Sequence, residues 1–197
     1  MLATNMSAIA ELRAATWPIH QRLEKRLDVK HRFSMLASYR TYLESMWGFC
    51  DALERRAAKA LVADALGDYE SRRKLPLLTQ DLLALGASAD DLQRLPRCET
   101  LPECEEPAAA LGCLYVIEGA TLGGQTLLPL VHKRLGLDAA NGAAFLASYG
   151  DEVGPMWRAF GAALDAWCAA PERRARAAAA AVRTFGALEQ WLCRQAA

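Results

Sequence analysis

An all-α fold is what three features of this 197-residue sequence predict. Valine and isoleucine together number nine, too few to build a sheet, while leucine and alanine dominate and favour helices. Apolar residues at Met35, Leu36, Tyr39, Tyr42, Leu43, Met46, Trp47, Cys50 and Leu53 recur at the spacing of one helical stripe. Proline and glycine sit where helices begin and end: Pro107 and Pro171 suit a first turn, and Gly136 and Gly150 suit a stop.

Taken in order, the first helix is expected over 6–28, with Pro18 removing one backbone hydrogen bond and bending the chain just before His20. The next starts after Ser34 as N-cap and carries the stripe to about residue 53. Further helices are predicted over 66–85, 88–95, 107–136, 139–148, 152–168 and 171–194. The stretch PRCETLPECEE, residues 96–106, has two prolines and reads as a surface connection. No internal repeat and no long Gly/Ser/Pro-rich segment divides the chain, so one domain over 1–197 is expected.

The 23 basic and 23 acidic residues cancel, and the basic ones lie in short scattered groups, which excludes a nucleic-acid footprint. Six cysteines, at 50, 98, 104, 113, 168 and 193, show neither CxxC spacing nor the density of a disulfide scaffold, and no HExxH accompanies them. A reduced, cytoplasmic protein is the simplest expectation. The start, MLATNMSAIAELR, lacks the pattern of a signal peptide, and no apolar run reaches the ~18 residues of a membrane span, so no membrane partner is expected.

Only three histidines are present: His20, His31 and His132. His20 shares a helix face with Thr16 four residues before and Glu24 four residues after. A neutral imidazole that binds a metal through one nitrogen usually donates its other N–H to an oxygen acceptor, a role open to Glu24. The same spacing also fits an ordinary histidine–glutamate contact on a solvated face. His31 and His132 read as surface or structural residues.

In EGATLGGQ, residues 118–125, three glycines weaken a helix by about 2 to 3 kcal/mol in total. Gly119 and Gly123 stand on nearly one face, with Gly124 beside them. A helix face stripped of side chains admits another helix, a sugar or phosphate, or a flat cofactor. Pro129 further weakens this helix by freeing the carbonyl of Gln125.

Together, LRAATWPIHQRLE (12–24) and LGCLYVIEGATLGGQ (111–125), about 100 residues apart in a helical chain of this size, resemble the haem oxygenase family. The resemblance is closest to soluble bacterial members, including those found with bacteriophytochromes, and its helix order runs over most of the chain. It implies a multi-helical bundle with haem b, both substrate and cofactor, between a proximal and a kinked distal helix. His20 would be the proximal iron ligand, with Glu24 and Thr16 on its face. Gly119, Gly123 and Gly124 would form the distal helix, whose close approach directs iron-bound oxygen at the ring edge. Expected products are biliverdin, of the IXα isomer common in the family, with CO and ferrous iron.

The resemblance further implies O2 and an external electron donor, a ferredoxin- or flavin-type reductase, as redox partner. A bacteriophytochrome is the bilin acceptor for relatives of that type. Arg13 and Tyr115 match propionate-binding positions, Arg158 falls near another basic position, and Phe185 matches an aromatic of the pocket. Ala120 departs from relatives that place an aspartate there to organise distal water. Glu118, one residue from Gly119, points from a different helix face. A haem carrier or sensor using the same pocket without turnover is the alternative reading, and a helical protein of related shape that binds no haem is a third.

Overall fold

The computed structural model describes residues 6–61 and 64–194. The expectations resting on the first five and last three residues lie outside that range. Ten α-helices and one 3-10 turn make up the described regular structure, and no strand occurs among these residues. The helix of 6–28 is α1 (Ala8–Leu27), capped by the Ser7 hydroxyl on the Ala10 amide and continuous through Pro18. A single turn not anticipated in the sequence, α2 (Val29–Arg32), follows Asp28, which takes the left-handed conformation.

The long stripe forms α3 (Leu36–Ala60), and from Tyr39 to Leu53 its apolar residues are buried. Met35 and Leu36, counted in the stripe, are instead half exposed at 56% and 50%. Ser34 is not the N-cap: its hydroxyl donates to the His31 carbonyl at 2.5 Å, and Met35 holds the cap position without a side-chain bond.

The expected helix of 66–85 is divided into α4 (Tyr69–Arg72) and α5 (Leu75–Ala84). The break has a tertiary cause. Glu54 of α3 accepts the backbone N–H groups of Lys74 and Leu75 at 2.6 and 3.0 Å, caps α5, and pairs with Arg73 at 3.0 Å. Next, α6 (Ala89–Arg94) begins with a reciprocal Ser88–Asp91 capping box.

Pro107 opens α7 (Pro107–Leu135) and Gly136 ends it at φ +70°, as expected. Of the helix predicted over 139–148, only α8 (Ala144–Ala147) exists. Asn141 and Gly142, the latter at φ +129°, form a turn before it, and Asp81 of α5 supplies its cap by accepting from Ala144 N and Phe145 N at 2.6 and 2.8 Å. The stop falls at Ser148, not Gly150, which opens a 3-10 turn over Gly150–Glu152. Last come α9 (Val153–Trp167) and α10 (Pro171–Cys193).

One hydrophobic cluster joins these helices, with α10 packed along both α1 and α7. Ion pairs fix α1 on α10 at both ends: Arg174 meets Glu11 at 3.1 Å, and Arg22 and Arg26 meet Glu189 at 3.1 and 3.2 Å. Close approach of α7 to α10 requires Gly112, where an added Cβ would lie 2.1 Å from the Ala177 carbonyl oxygen.

Two stability predictions arise from this packing. Gly112→Ala, which must displace backbone of α10, is expected to cost about 3 kcal/mol in denaturant unfolding, whereas Gly123→Ala, with open space around its Cβ, gains about 0.5 to 1 kcal/mol. Equal effects would contradict the packing. Asp81 is fully buried, and burial raises its carboxyl from 3.8 to about 6 against the pull of its two amide donors. Its stabilising contribution is therefore complete below the unfolded value and is lost as pH rises through about 6. Between about pH 4 and pH 7 the native chain is expected to lose about 2 to 3 kcal/mol relative to Asp81→Asn in paired unfolding titrations. A pH-independent difference would refute it.

Candidate functional site

The stripe of α7 that runs Tyr115, Gly119, Gly123 starts against α1. Tyr115 is buried, which raises its phenol, while the Thr16 hydroxyl and the Arg13 charge of α1 pull the other way. Beyond this contact α1 and α7 scarcely pack on one another; each rests instead on α9 and α10. Four residues past Thr16, and so on the same face of α1, stands His20.

His20 is flanked by two aromatic rings. Trp17 stacks on it at 5.7 Å between centroids, and Phe185 of α10 presents an edge at 5.7 Å. Its Nδ1 is buried without a hydrogen-bond partner and lies 3.6 Å from Glu24 Oε2, too far for a hydrogen bond but within reach of a small side-chain rotation. Its Nε2 makes no hydrogen bond within the described residues, and the side chain is 40% exposed. An imidazole in that state is held by aromatic walls and keeps a nitrogen free for an external ligand.

The three glycines of α7 divide into two uses. A Cβ at Gly119 would meet only the ring of Trp157, at 3.9 Å, and one at Gly123 would meet nothing within 4 Å. At Gly124 it would lie 2.5 Å from the Leu146 carbonyl oxygen, so this glycine serves the packing of α7 on α8. Ala120 is partly exposed, and Thr121 is turned inward with its hydroxyl on the Glu118 carbonyl at 2.7 Å.

The structure thus brings His20, Thr16, Glu24 and Phe185 into one neighbourhood and Arg13, Tyr115 and Gly119 into an adjoining one. Arg13 is exposed, with no carboxylate within 4 Å among the described residues. Arg158 lies exposed along α9 with Nη1 3.4 Å from the Cβ position of Gly154. Its neighbour Trp157 is the α9 residue that reaches the site, 5.7 Å from Tyr115 and 6.0 Å from Phe160. His31 is exposed, and His132 contacts the Leu137 carbonyl at 3.3 Å.

Sequence reasoning missed Trp157, whose only signal was an aromatic beside a singled-out arginine. It also missed what holds the glycine segment from behind. Glu118 is buried, accepting Arg72 at 2.8 Å, Lys74 at 2.6 Å and the Tyr149 hydroxyl at 2.7 Å. Lys74 spends its remaining N–H groups on the Arg72 carbonyl and Tyr149 oxygen, both at 2.5 Å. Burial lowers the Lys74 ammonium against Glu118, and burial beside Glu118 raises the Tyr149 phenol. Both carboxylate oxygens of Glu118 are thereby occupied.

Elsewhere, a surface depression of about 500 Å³ is lined by Asp51, Arg55, Arg56 and Arg97 among others, and includes none of the residues above. Two of its arginines, Arg55 and Arg97, are already paired with Asp51 at 2.9 and 3.1 Å. No three His, Cys, Asp or Glu side chains converge to hold a metal ion among the described residues, and no described helix is long and apolar enough to cross a membrane.

Comparison with known proteins agrees with this fold. The fold superposes on the heme oxygenase from Neisseria meningitidis, studied with NO and CO bound, with a TM-score of 0.82 and 26% identity, covering 96% of this chain and 92% of that one. It also matches the fold of heme oxygenase from Leptospira interrogans, with a TM-score of 0.70, 20% identity and coverage of 96% and 100%. A heme oxygenase of Xanthomonas campestris pv. campestris (strain 8004) is 31% identical over 146 residues, 73% of this chain and 81% of the relative. The family model described as Heme oxygenase matches residues 6–194, and with that relative it establishes that the chain belongs to the heme oxygenase family.

Proposed function

We propose that the chain binds haem b between α1 and α7 and, with O2 and electrons from an external ferredoxin- or flavin-type reductase, opens the ring to biliverdin IXα, CO and ferrous iron. The observation that carries this reading is the unpartnered His20 imidazole, walled by Trp17 and Phe185, on a helix that scarcely packs against the glycine-bearing face of α7. A flat apolar macrocycle with an iron centre needs that combination: one free nitrogen, aromatic walls, and an opposing surface without side chains.

His20 would hold the iron. When bound, haem supplies the iron centre at which oxygen is activated and the ring that is oxidised. The residues of this chain do the remainder. Glu24, 3.6 Å from Nδ1, is the acceptor nearest to that nitrogen and would orient the imidazole by drawing its N–H toward it. The exposed Arg13 and the Tyr115 phenol beside it suit the anionic propionates. At Gly119 and Gly123, backbone can approach the ring without interference from side chains, leaving room for ordered water to carry protons. Ala120 contributes no polar group, and Glu118 is committed to Arg72 and Lys74.

Mixing purified chain with hemin is expected to give a Soret band that His20→Ala loses or shifts; no band with either protein would sink the reading. Reductant under air then bleaches the band and yields bilin absorbance, and chromatography of the bilin identifies the α isomer. A persistent band would instead indicate a carrier. Gly123→Leu fills space that is open in the fold, so it is expected to keep hemin binding while slowing conversion at least about tenfold. Undiminished turnover would show that this glycine leaves no space the reaction uses.

A further inference from the structure

Two of the six cysteines meet in the structure although they lie on different segments. Cys104 belongs to the connection between α6 and α7, and Cys113 lies two turns into α7. Their sulfurs are 3.3 Å apart, with the Cys104 thiol donating to Cys113. Cys113 is fully buried and Cys104 is 8% exposed. No other two cysteine sulfurs come within hydrogen-bond distance among the described residues.

The surroundings favour negative charge on one sulfur. The Cys104 hydrogen bond and the guanidinium charges of Arg183 and Arg56 pull the Cys113 thiol down, against burial, while the Cys104 thiol is held up by its bond to Cys113. Arg56 also straps the connection to α3, donating to the Glu99 carbonyl at 3.4 Å and facing Glu103 at 3.8 Å. The segment carrying Cys104 is thus held against α3, without regular structure of its own, and meets α7 through the Cys104–Cys113 contact. Closing 3.3 Å to a disulfide needs a sulfur displacement of about 1.3 Å, within reach of side-chain torsion.

We propose that Cys104 and Cys113 are a reversible thiol–disulfide site, oxidised by hydrogen peroxide and reduced by small thiols, that ties the 95–106 connection to α7 six residues before Gly119. In the first step the Cys113 thiolate attacks peroxide: an S–O bond forms, the O–O bond breaks, and the departing hydroxide takes a proton to leave as water. The Cys104 sulfur then attacks the sulfenic sulfur and gives up its proton; the S–S bond forms, the S–O bond breaks, and a second water leaves. Two thiols lose two electrons and one peroxide gains them. Of the two, Cys104 at 8% exposure is the nearer to solvent.

The sequence allows a direct test on the full chain before any hemin is added. Trypsin alone leaves Cys98, Cys104 and Cys113 on one peptide, because no lysine or arginine lies between Arg97 and Lys133. A glutamate-specific protease separates them at Glu99, Glu103 and Glu105. After peroxide treatment and blocking of free thiols, double digestion is expected to give a cross-linked pair containing Cys104 and Cys113, lighter by two hydrogens than its parts. It should disappear on treatment with dithiothreitol, be absent from Cys104→Ser and Cys113→Ser, and persist in Cys98→Ser. A cross-link through Cys98, sulfinic acid at either position without the cross-link, or two thiols that remain alkylatable would each overturn the proposal.

Discussion

The buried carboxylate of Glu118 is the constraint on which the rest of this fold is arranged. Placing an ionised group at 2% exposure costs several kcal/mol unless charge and hydrogen bonds replace its water. Here Arg72 and Lys74, themselves 3% and 0% exposed, provide both. Arg72 completes its own donors on Asp68, at 2.7 Å through two nitrogens, and on the Met156 carbonyl at 3.1 Å. The result joins α4, the start of α5, the middle of α7, the turn at Tyr149 and the first turns of α9. Removing Glu118 would leave Lys74 buried without a carboxylate partner and Arg72 with Asp68 alone, which is why the arrangement acts as a unit.

That anchor stands immediately before the glycine segment. A helix with glycines at 119, 123 and 124 is weak by intrinsic propensity, so its path must be set by tertiary contacts. Glu118 fixes it on one side, and Gly124, pressed on the Leu146 backbone, fixes it six residues later. Between the two, Gly119 and Gly123 face open space or the edge of Trp157. Glycine thus has opposite uses in one helix: at 112 and 124 it lets backbones touch, and at 119 and 123 it leaves a surface bare.

The helices were legible where the signal was local. Pro107, Pro171 and Gly136 mark ends that depend on neighbours a few residues away, whereas Ser34 and Gly150, read by the same local rule, do not hold the ends expected of them. The break at Arg73 and Lys74 was not legible, because its cause is Glu54 some twenty residues earlier. The loss of helix over 139–143 depends likewise on Asp81 capping Ala144 and Phe145 from another element. In the candidate site, His20 stood out through the scarcity of histidine and Gly119 and Gly123 through their spacing. Trp157 and Trp17 carried no such mark, since aromatics on helices are ordinarily core.

The departure at Ala120 bears on how protons would travel in the proposed reaction. Glu118 is nearest in sequence, yet its two carboxylate oxygens are taken by Arg72, Lys74 and the Tyr149 hydroxyl and are turned away from the opening. Thr16 is turned back onto the Leu12 carbonyl at 2.8 Å, and the Tyr115 phenol is raised by burial. No side chain of the α7 face between Tyr115 and Gly123 then offers a readily exchanged proton. What that face does offer is backbone amides and carbonyls beside unfilled volume, which can order water without ionising. The chemistry on this side would accordingly depend on the shape of the opening more than on any one acid, and the Glu118 clamp, by fixing that shape, would matter to the reaction without touching it.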